Sequence, residues 1–91
     1  MIKLEIDLYC SIVREHVPYR LYINDELMTE RDYIWDNTKE YITEGVPLFL
    51  DHGTHTINIE NLNPNNGTLS INTIRLNGKT ITLINGKDFT I

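Results

Sequence analysis

The sequence predicts one all-β domain, an antiparallel β-sandwich of jelly-roll character. The 91 residues include no alanine and no glutamine but many Asn, Ile and Thr, so the best helix former is missing while β-branched and turn-forming residues are abundant. Apolar and polar residues alternate in short segments that turn residues separate. A chain of this length holds one core, so we expect residues 1–91 to form a single domain.

The first segment carries the clearest strand pattern. Residues 2–12 have an apolar residue at every even position, which predicts a long strand with one buried face. Cys10 lies on that face, where we expect it to act as a small buried hydrophobe. Residues 31–44 contain the best competing helical pattern, which we rank below the strand interpretation. The later strands are predicted at residues 19–24, 31–35, 41–50 with an interruption at 45–47, 54–62 and 68–76.

The C-terminal region repeats itself. Residues 75–82 and 83–90 each contain Asn-Gly-Lys, and Asn-Gly tolerates the two successive positive φ values of a type I′ hairpin turn. The two turns predict a hairpin meander at the end of the chain. Just before it, the apolar parity changes between Ile71 and Ile74, which predicts a β-bulge at Asn72-Thr73.

Charge and composition exclude several classes of function. Acidic residues outnumber basic ones by 13 to 8, the net charge is -5 and no Lys/Arg cluster occurs, so we exclude nucleic acid as the main partner. One cysteine cannot form an internal disulfide. The sequence shows neither a signal-peptide pattern nor an apolar run of about 18 residues. We therefore expect no membrane partner, no secretion through a signal peptide and a reducing compartment.

The stretch DHGTH places Asp51, His52 and His55 close together, which raises the question of a metal or catalytic site. A zinc site needs three or four converging ligands, and the other candidates, His16 and Cys10, have no spacing that brings them in. No nucleophile accompanies Asp51 and His55. His55 shares strand parity with Ile57, so we expect a structural histidine bonded to a backbone carbonyl, with no catalytic residue, no metal and no cofactor.

Two further sets of residues have both a purely structural and a functional interpretation. The acidic residues between positions 26 and 44 fit either a glycosidase carboxylate pair or a solvated face, and the absence of an indicated cleft favours the solvated face. Asn63-Pro64-Asn65-Asn66-Gly67 is a turn-forming loop that would also serve as a recognition loop on a rigid scaffold.

Four segments within residues 19–78 carry a resemblance to a known group of proteins: YINDELMTERDYIW at 22–35, GTHTI at 53–57, LSI at 69–71 and NG at 77–78. In these segments the chain resembles small uncharacterised proteins of tailed phages that infect marine cyanobacteria. The resemblance implies a β-sandwich and a virion-associated or assembly role.

The segment GTHTINIENLNPNNGTLSINTIRLNG is also similar to β-sandwich modules that bind xylan through calcium. The sequence departs from those modules at the ligand loop, because residues 61–78 contain no carboxylate and calcium needs charged oxygen ligands. This second resemblance implies the fold. The missing carboxylates speak against calcium-mediated sugar binding here.

Our interpretation is a non-enzymatic structural or attachment protein of a phage particle that acts through protein–protein contacts. The predicted partners are a second copy or another virion protein, with a glycan as a further candidate, and the predicted location is the virion or the host cytoplasm. The alternatives are a carbohydrate-binding module and a small host-directed regulator. A sugar-binding surface would use Tyr22, Tyr33 and Trp35 as stacking rings. Since Tyr33 and Trp35 share parity, we expect both on the core side, with Ile34 exposed.

Overall fold

A computed structural model describes residues 1–34 and 41–91, and in it the chain forms two antiparallel sheets packed face to face. The strands are β1 (Ile2–Ile12), β2 (Val17–Ile23), β3 (Glu26–Tyr33), β4 (Ile42–Leu48), β5 (Thr54–Asn61), β6 (Gly67–Leu76), β7 (Lys79–Ile81) and β8 (Asp88–Thr90). Sheet A has the order β4-β1-β6-β7 and sheet B the order β3-β2-β5-β8. The all-β class and the sandwich are confirmed. Within the two described ranges there is no helix long and apolar enough to cross a membrane.

The core lies between the central strands of the two sheets. Even-numbered residues of β1 and odd-numbered residues of β2 point inwards, so Leu4, Leu8, Tyr19 and Leu21 are at most 1% exposed. Cys10 is buried on the same face, as predicted. Fully burying one Leu or Ile side chain contributes about 1.5–3 kcal/mol, so this interior supplies most of the force that holds the sheets together.

The chain changes sheet at every connection except the β2–β3 and β6–β7 hairpins. Both hairpins use two residues with positive φ, Asn24 and Asp25 in the first and Asn77 and Gly78 in the second. Residue pairs of this kind form the primed turns whose twist matches that of the flanking strands. Because the chain passes so often from one sheet to the other, each sheet reaches its strand order only together with the other.

Two predicted strands had the wrong limits. The strand predicted at residues 31–35 begins earlier, at Glu26, because the Asn24-Asp25 turn returns the chain directly onto β2. The predicted interruption at residues 45–47 is absent, and β4 runs through Pro47. Proline is tolerated there because β4 is an edge strand of sheet A. The helix weighed over residues 31–44 is wrong at 31–33 and 42–44, which are strand, while residues 35–40 lie outside the described ranges.

The C-terminal turns and the bulge are confirmed, and the meander is not. Asn85 and Gly86 have positive φ as predicted, but this second turn closes only an isolated bridge between Ile84 and Asp88. The tail then crosses to sheet B, where β8 pairs with β5. In β6, Asp7 pairs with Thr73 and Leu8 with Ile71, so Asn72 is the extra residue of the predicted bulge.

Candidate functional site

The two lateral sides of the sandwich differ in the length of their edge strands. On one side the edge strands β3 and β4 meet, and we call it the closed side. On the other side β7 and β8 are only three residues long, so they leave parts of β6 and β5 uncovered. We call this the open side and define it by residues 67–71 of β6 and 57–61 of β5. The open side is the candidate functional site.

A buried carboxylate joins the two sheets on the closed side. Glu44 of β4 points into the sandwich, and its side chain is 4% exposed. One of its oxygens accepts a hydrogen bond from the Tyr19 hydroxyl, with 2.5 Å between the two oxygen atoms. The same oxygen lies 2.6 Å from Arg31 Nε on β3. Burial, and then the hydrogen bond to Glu44, raises the pKa of Tyr19 far above its ordinary value. The contact therefore holds a carboxylate between β2, β3 and β4.

A groove of about 390 Å³ runs between the sheets on the open side. Aliphatic and polar residues both line it, and its two ends are formed by the loop around Pro64 and the turn at Gly86-Lys87. The rim formed by residues 67–71 is about 17 Å long, at roughly 3.4 Å per strand residue. The apolar residues that line the groove are Leu8, Ile57, Ile59, Leu69 and Ile71.

The β6 rim presents backbone hydrogen-bonding groups that β1 does not use. In an antiparallel pair, residues alternate between those that bond to the neighbour and those that point away from it. Val13 N–H donates to the Asn66 carbonyl, and this bond fixes the phase of the β1–β6 ladder. With the observed register, Ser70 bonds to β1, while the N–H and C=O groups of Leu69 and Ile71 point towards the open side.

The β5 rim has the same property. Leu62 N–H donates to the Pro18 carbonyl and Asn24 N–H to the Thr56 carbonyl, so the even-numbered residues of β5 bond to β2. Ile57 N–H, which points the other way, donates to the Lys87 carbonyl. One step further along, Ile59 directs its N–H and C=O groups to the open side. The groove is thus flanked by two strand edges.

The two sides also differ in charge. Edge strands are commonly protected against pairing by charged side chains, proline and bulges. On the closed side, β3 carries Glu26, Glu30, Arg31 and Asp32, and β4 carries Pro47. On the open side, the β6 rim and the loop before it, residues 61–74, contain no charged residue, whereas β5 carries the exposed Glu60 and Lys87 lines the groove. The sequence therefore contains one indication of this site, which is the absence of carboxylates from residues 61–78.

Of the three aromatic residues considered for a sugar-binding surface, the two described ones, Tyr22 and Tyr33, lie on opposite faces of sheet B. Tyr33 is 2% exposed, and its hydroxyl donates to the Leu8 carbonyl at 3.3 Å, so it offers no stacking face. Ile34 is 75% exposed, so the expected sides are confirmed for both residues: Tyr33 faces the core and Ile34 faces away from it. Tyr22 is half-buried on the outer face of sheet B, because its even position points away from the core. Trp35 lies outside the described residues.

His55 has the structural role that its parity predicted. Its Nε2 atom is 2.8 Å from the Asp51 carbonyl oxygen, and its Nδ1 atom is 2.9 Å from Asn24 Nδ2. Asn24 Oδ1 accepts from Thr56 N–H, which turns the amide N–H groups towards the ring. The bonding pattern therefore assigns the proton to Nε2 and the acceptor role to Nδ1. The described part of the chain contains no group of three metal-binding side chains.

The outer face of sheet A carries a polar cluster that sequence reasoning missed. Arg75 of β6 donates from Nη1 and Nη2 to the two oxygens of Asp7 at 2.8 and 3.0 Å. Thr43 of β4 donates to the same carboxylate at 2.7 Å. Beside it, the rings of Tyr9 and Tyr41 meet edge to face with centroids 5.6 Å apart. The alternation in β1 placed Asp7 outside the core, but it gave no sign that Arg75 would cover it.

No family model, curated protein or solved structure matches the chain.

Proposed function

We propose that the chain is a non-catalytic protein–protein interaction module that docks through its open side. The observation that carries this proposal is the groove between two strand edges, lined by aliphatic side chains and bordered by an uncharged β6 rim. An extended segment of a partner bonds well to such an edge, because the backbone groups of Leu69 and Ile71 offer it a hydrogen-bonding row. Alternate side chains of that segment would then enter the groove.

The contrast with the closed side supports this interpretation. A protein that only needed to stay monomeric would gain from charges on every exposed edge, and the closed side has them. The open side instead combines partly exposed aliphatic side chains with backbone groups that point away from the neighbouring strand. Both features favour association, because burial of the apolar surface and satisfaction of the backbone groups stabilise a complex together.

The biological setting we propose is a phage particle, in which the module is a structural or attachment component. The resemblance of residues 19–78 to small proteins of tailed phages supports this setting. A net charge of -5 also suits a protein that keeps away from nucleic acid while it joins other proteins. An assembled particle is a place where an interaction edge is permanently covered.

Mass spectrometry of purified particles tests the proposal. We expect the wild-type protein at a fixed ratio to the other particle proteins, and Ile71→Lys, which places a charge in the groove, to be lost from particles. Ser11→Lys is the matched control, because Ser11 is exposed on the outer face of sheet A, one strand away from the rim. Circular dichroism establishes that both variants fold. Absence of the wild-type protein from particles would overturn the virion role and favour the host-directed regulator.

A specific observation favours a carbohydrate-binding module as the second candidate. Tyr41 is 45% exposed, and it lies beside Arg75, whose guanidinium is fixed by Asp7. A ring and a fixed fork of donors are groups that bind the face and the hydroxyls of a sugar. A glycan array would support this candidate if binding were lost in Tyr41→Ala and retained in Tyr22→Ala. No binding by the wild-type protein would exclude the glycans on the array.

A further inference from the structure

We infer that the occupant of the open side is a second copy of the chain, paired through β6 about a two-fold axis at Ser70. This inference rests on the proposed docking role of the open side and adds the partner and the register. It follows from the phase of the β1–β6 hydrogen bonds, the charge of the chain and the side chains on the two faces of β6.

The backbone fixes the register. Leu69 and Ile71 are the rim residues whose N–H and C=O groups point outwards, and they lie one residue to either side of Ser70. In an antiparallel two-fold pair centred on Ser70, Leu69 of each copy faces Ile71 of the other. Every outward N–H and C=O group of these residues then has a partner. Centring the axis on Leu69 would bring in Gly67, whose carbonyl already accepts from Asn61 Nδ2.

The charge distribution selects this surface for contact between identical copies. Each copy has a net charge of -5, so two copies repel each other over most of their surface. Like charges placed opposite each other across a strand pair are destabilising. Residues 61–74 carry no charge, so the β6 rim is a stretch along which two acidic copies approach without that cost.

The side chains on the two faces of β6 fit the same arrangement. Leu69 and Ile71 are partly buried and pack against the core, so their counterparts in the second copy would extend that apolar layer. Ser70 is exposed on the outer face and would lie opposite the second copy's Ser70. Such a pair, which exchanges no backbone bonds, has a Cα–Cα distance of about 4.5 Å, within the range that a disulfide spans.

Oxidative crosslinking of Ser70→Cys tests the register. We expect most of the purified variant to form a reducible dimer on mild oxidation. Thr68→Cys is the matched control, because it lies on the same exposed face but would be separated from its counterpart by about 14 Å, beyond disulfide reach. The natural Cys10 is buried and contributes a background that the wild-type protein measures. Equal crosslinking of both variants, or crosslinking of neither, would overturn the inferred register.

Light scattering of Ser70→Lys separates this inference from the proposed function. The substitution places two ammonium groups opposite each other at the axis, so we expect association to weaken by up to about fivefold, while Ser11→Lys associates as the wild-type protein does. A monomeric wild-type protein would overturn the second copy as the occupant. In that case the docking proposal still stands if Ile71→Lys, but not Ser11→Lys, is lost from particles, and it fails if neither is lost.

Discussion

The closed and open sides of the sandwich solve the same problem in opposite ways. Every sandwich that is not a closed barrel leaves edge strands and a gap between its sheets. On the closed side, Glu44 fills that gap and charged residues of β3 guard the edge. On the open side a groove of about 390 Å³ remains, and its β6 rim has no charge. Edge protection by charge is therefore available to this fold, and the β6 rim lacks it, which is the contrast on which our docking proposal rests.

The closed side also shows how costly such protection is. A carboxylate loses its hydration when it is buried, and only well-placed partners offset that loss. Glu44 has two partners on one oxygen, the Tyr19 hydroxyl and Arg31. Arg31 is more than half exposed, so water screens its attraction and the buried hydrogen bond from Tyr19 carries more of the compensation.

Breaking the closed side should have the largest effect on stability. Tyr19→Phe leaves the buried Glu44 carboxylate without its buried donor, and Glu44→Leu leaves the Tyr19 hydroxyl without an acceptor. Each change should lower the free energy of unfolding by about 3 kcal/mol, measured by urea denaturation. The double variant should lose much less than the sum, because neither polar group then stays buried without its partner. Additive losses would show that the two residues act independently.

A pair of glycines compares the two sides directly. A Cβ atom on Gly67, at the end of the open side, would collide with the Ser11 carbonyl oxygen and lie 2.8 Å from Val17 Cγ2. Gly67→Ala should therefore lower the free energy of unfolding by about 2 kcal/mol.

Gly45 on the closed side provides the control. A Cβ atom there meets nothing within 4 Å, so Gly45→Ala should be neutral or slightly stabilising, by up to about 1 kcal/mol. Thermal denaturation of the two variants measures the contrast. Equal effects would mean that the chain between β5 and β6 adapts freely and that the groove is not held in a fixed shape.

The sequence predicted the features that depend on neighbouring residues. The alternation in residues 2–12, the Asn-Gly turns and the bulge at Asn72 all follow from local geometry, and the structure confirms them. The start of β3 was missed because Asn24-Asp25 is a less familiar turn pair than Asn-Gly. Pro47 predicts a strand interruption in the sequence, because the sequence does not show which strand will be an edge.

The candidate site was harder to predict because it depends on strand order. Ile59, Leu69 and Ile71 look like ordinary core residues until the sheets are assembled with short strands β7 and β8 beside them. Parity gives Tyr33 two possible faces without saying which is buried, and the structure buries Tyr33 on the core side, as we expected. Glu44, in contrast, fits a solvated acidic face in the sequence, and only the approach of Tyr19 shows that it is buried.

Substitution of Asp7 should have the smallest effect on stability. It tests whether a charged contact links the closed-side strand β4 to β6 across sheet A. Its carboxylate lies between Thr43 on the closed-side strand β4 and Arg75 on the open-side strand β6. The hydrogen bonds from Arg75 lower the pKa of Asp7 below its ordinary value, against the opposing effect of burial. Because the folded pKa is the lower one, the stabilisation is complete above about pH 4 and is lost as the pH falls through the folded pKa.

Asp7→Asn isolates this contribution from the other carboxylates that titrate in the same range. The amide is similar in size but lacks the charge, so the variant should be less stable than the wild-type protein by about 1 kcal/mol at pH 7. The difference between the two melting temperatures should shrink as the pH falls from 5 towards 2, since Asp7 becomes protonated in the wild-type protein. A difference that stays constant with pH would show that Asp7 acts through its shape. The face of sheet A would then hold β4 and β6 in place by packing alone, and no charge would connect the closed side to the open one.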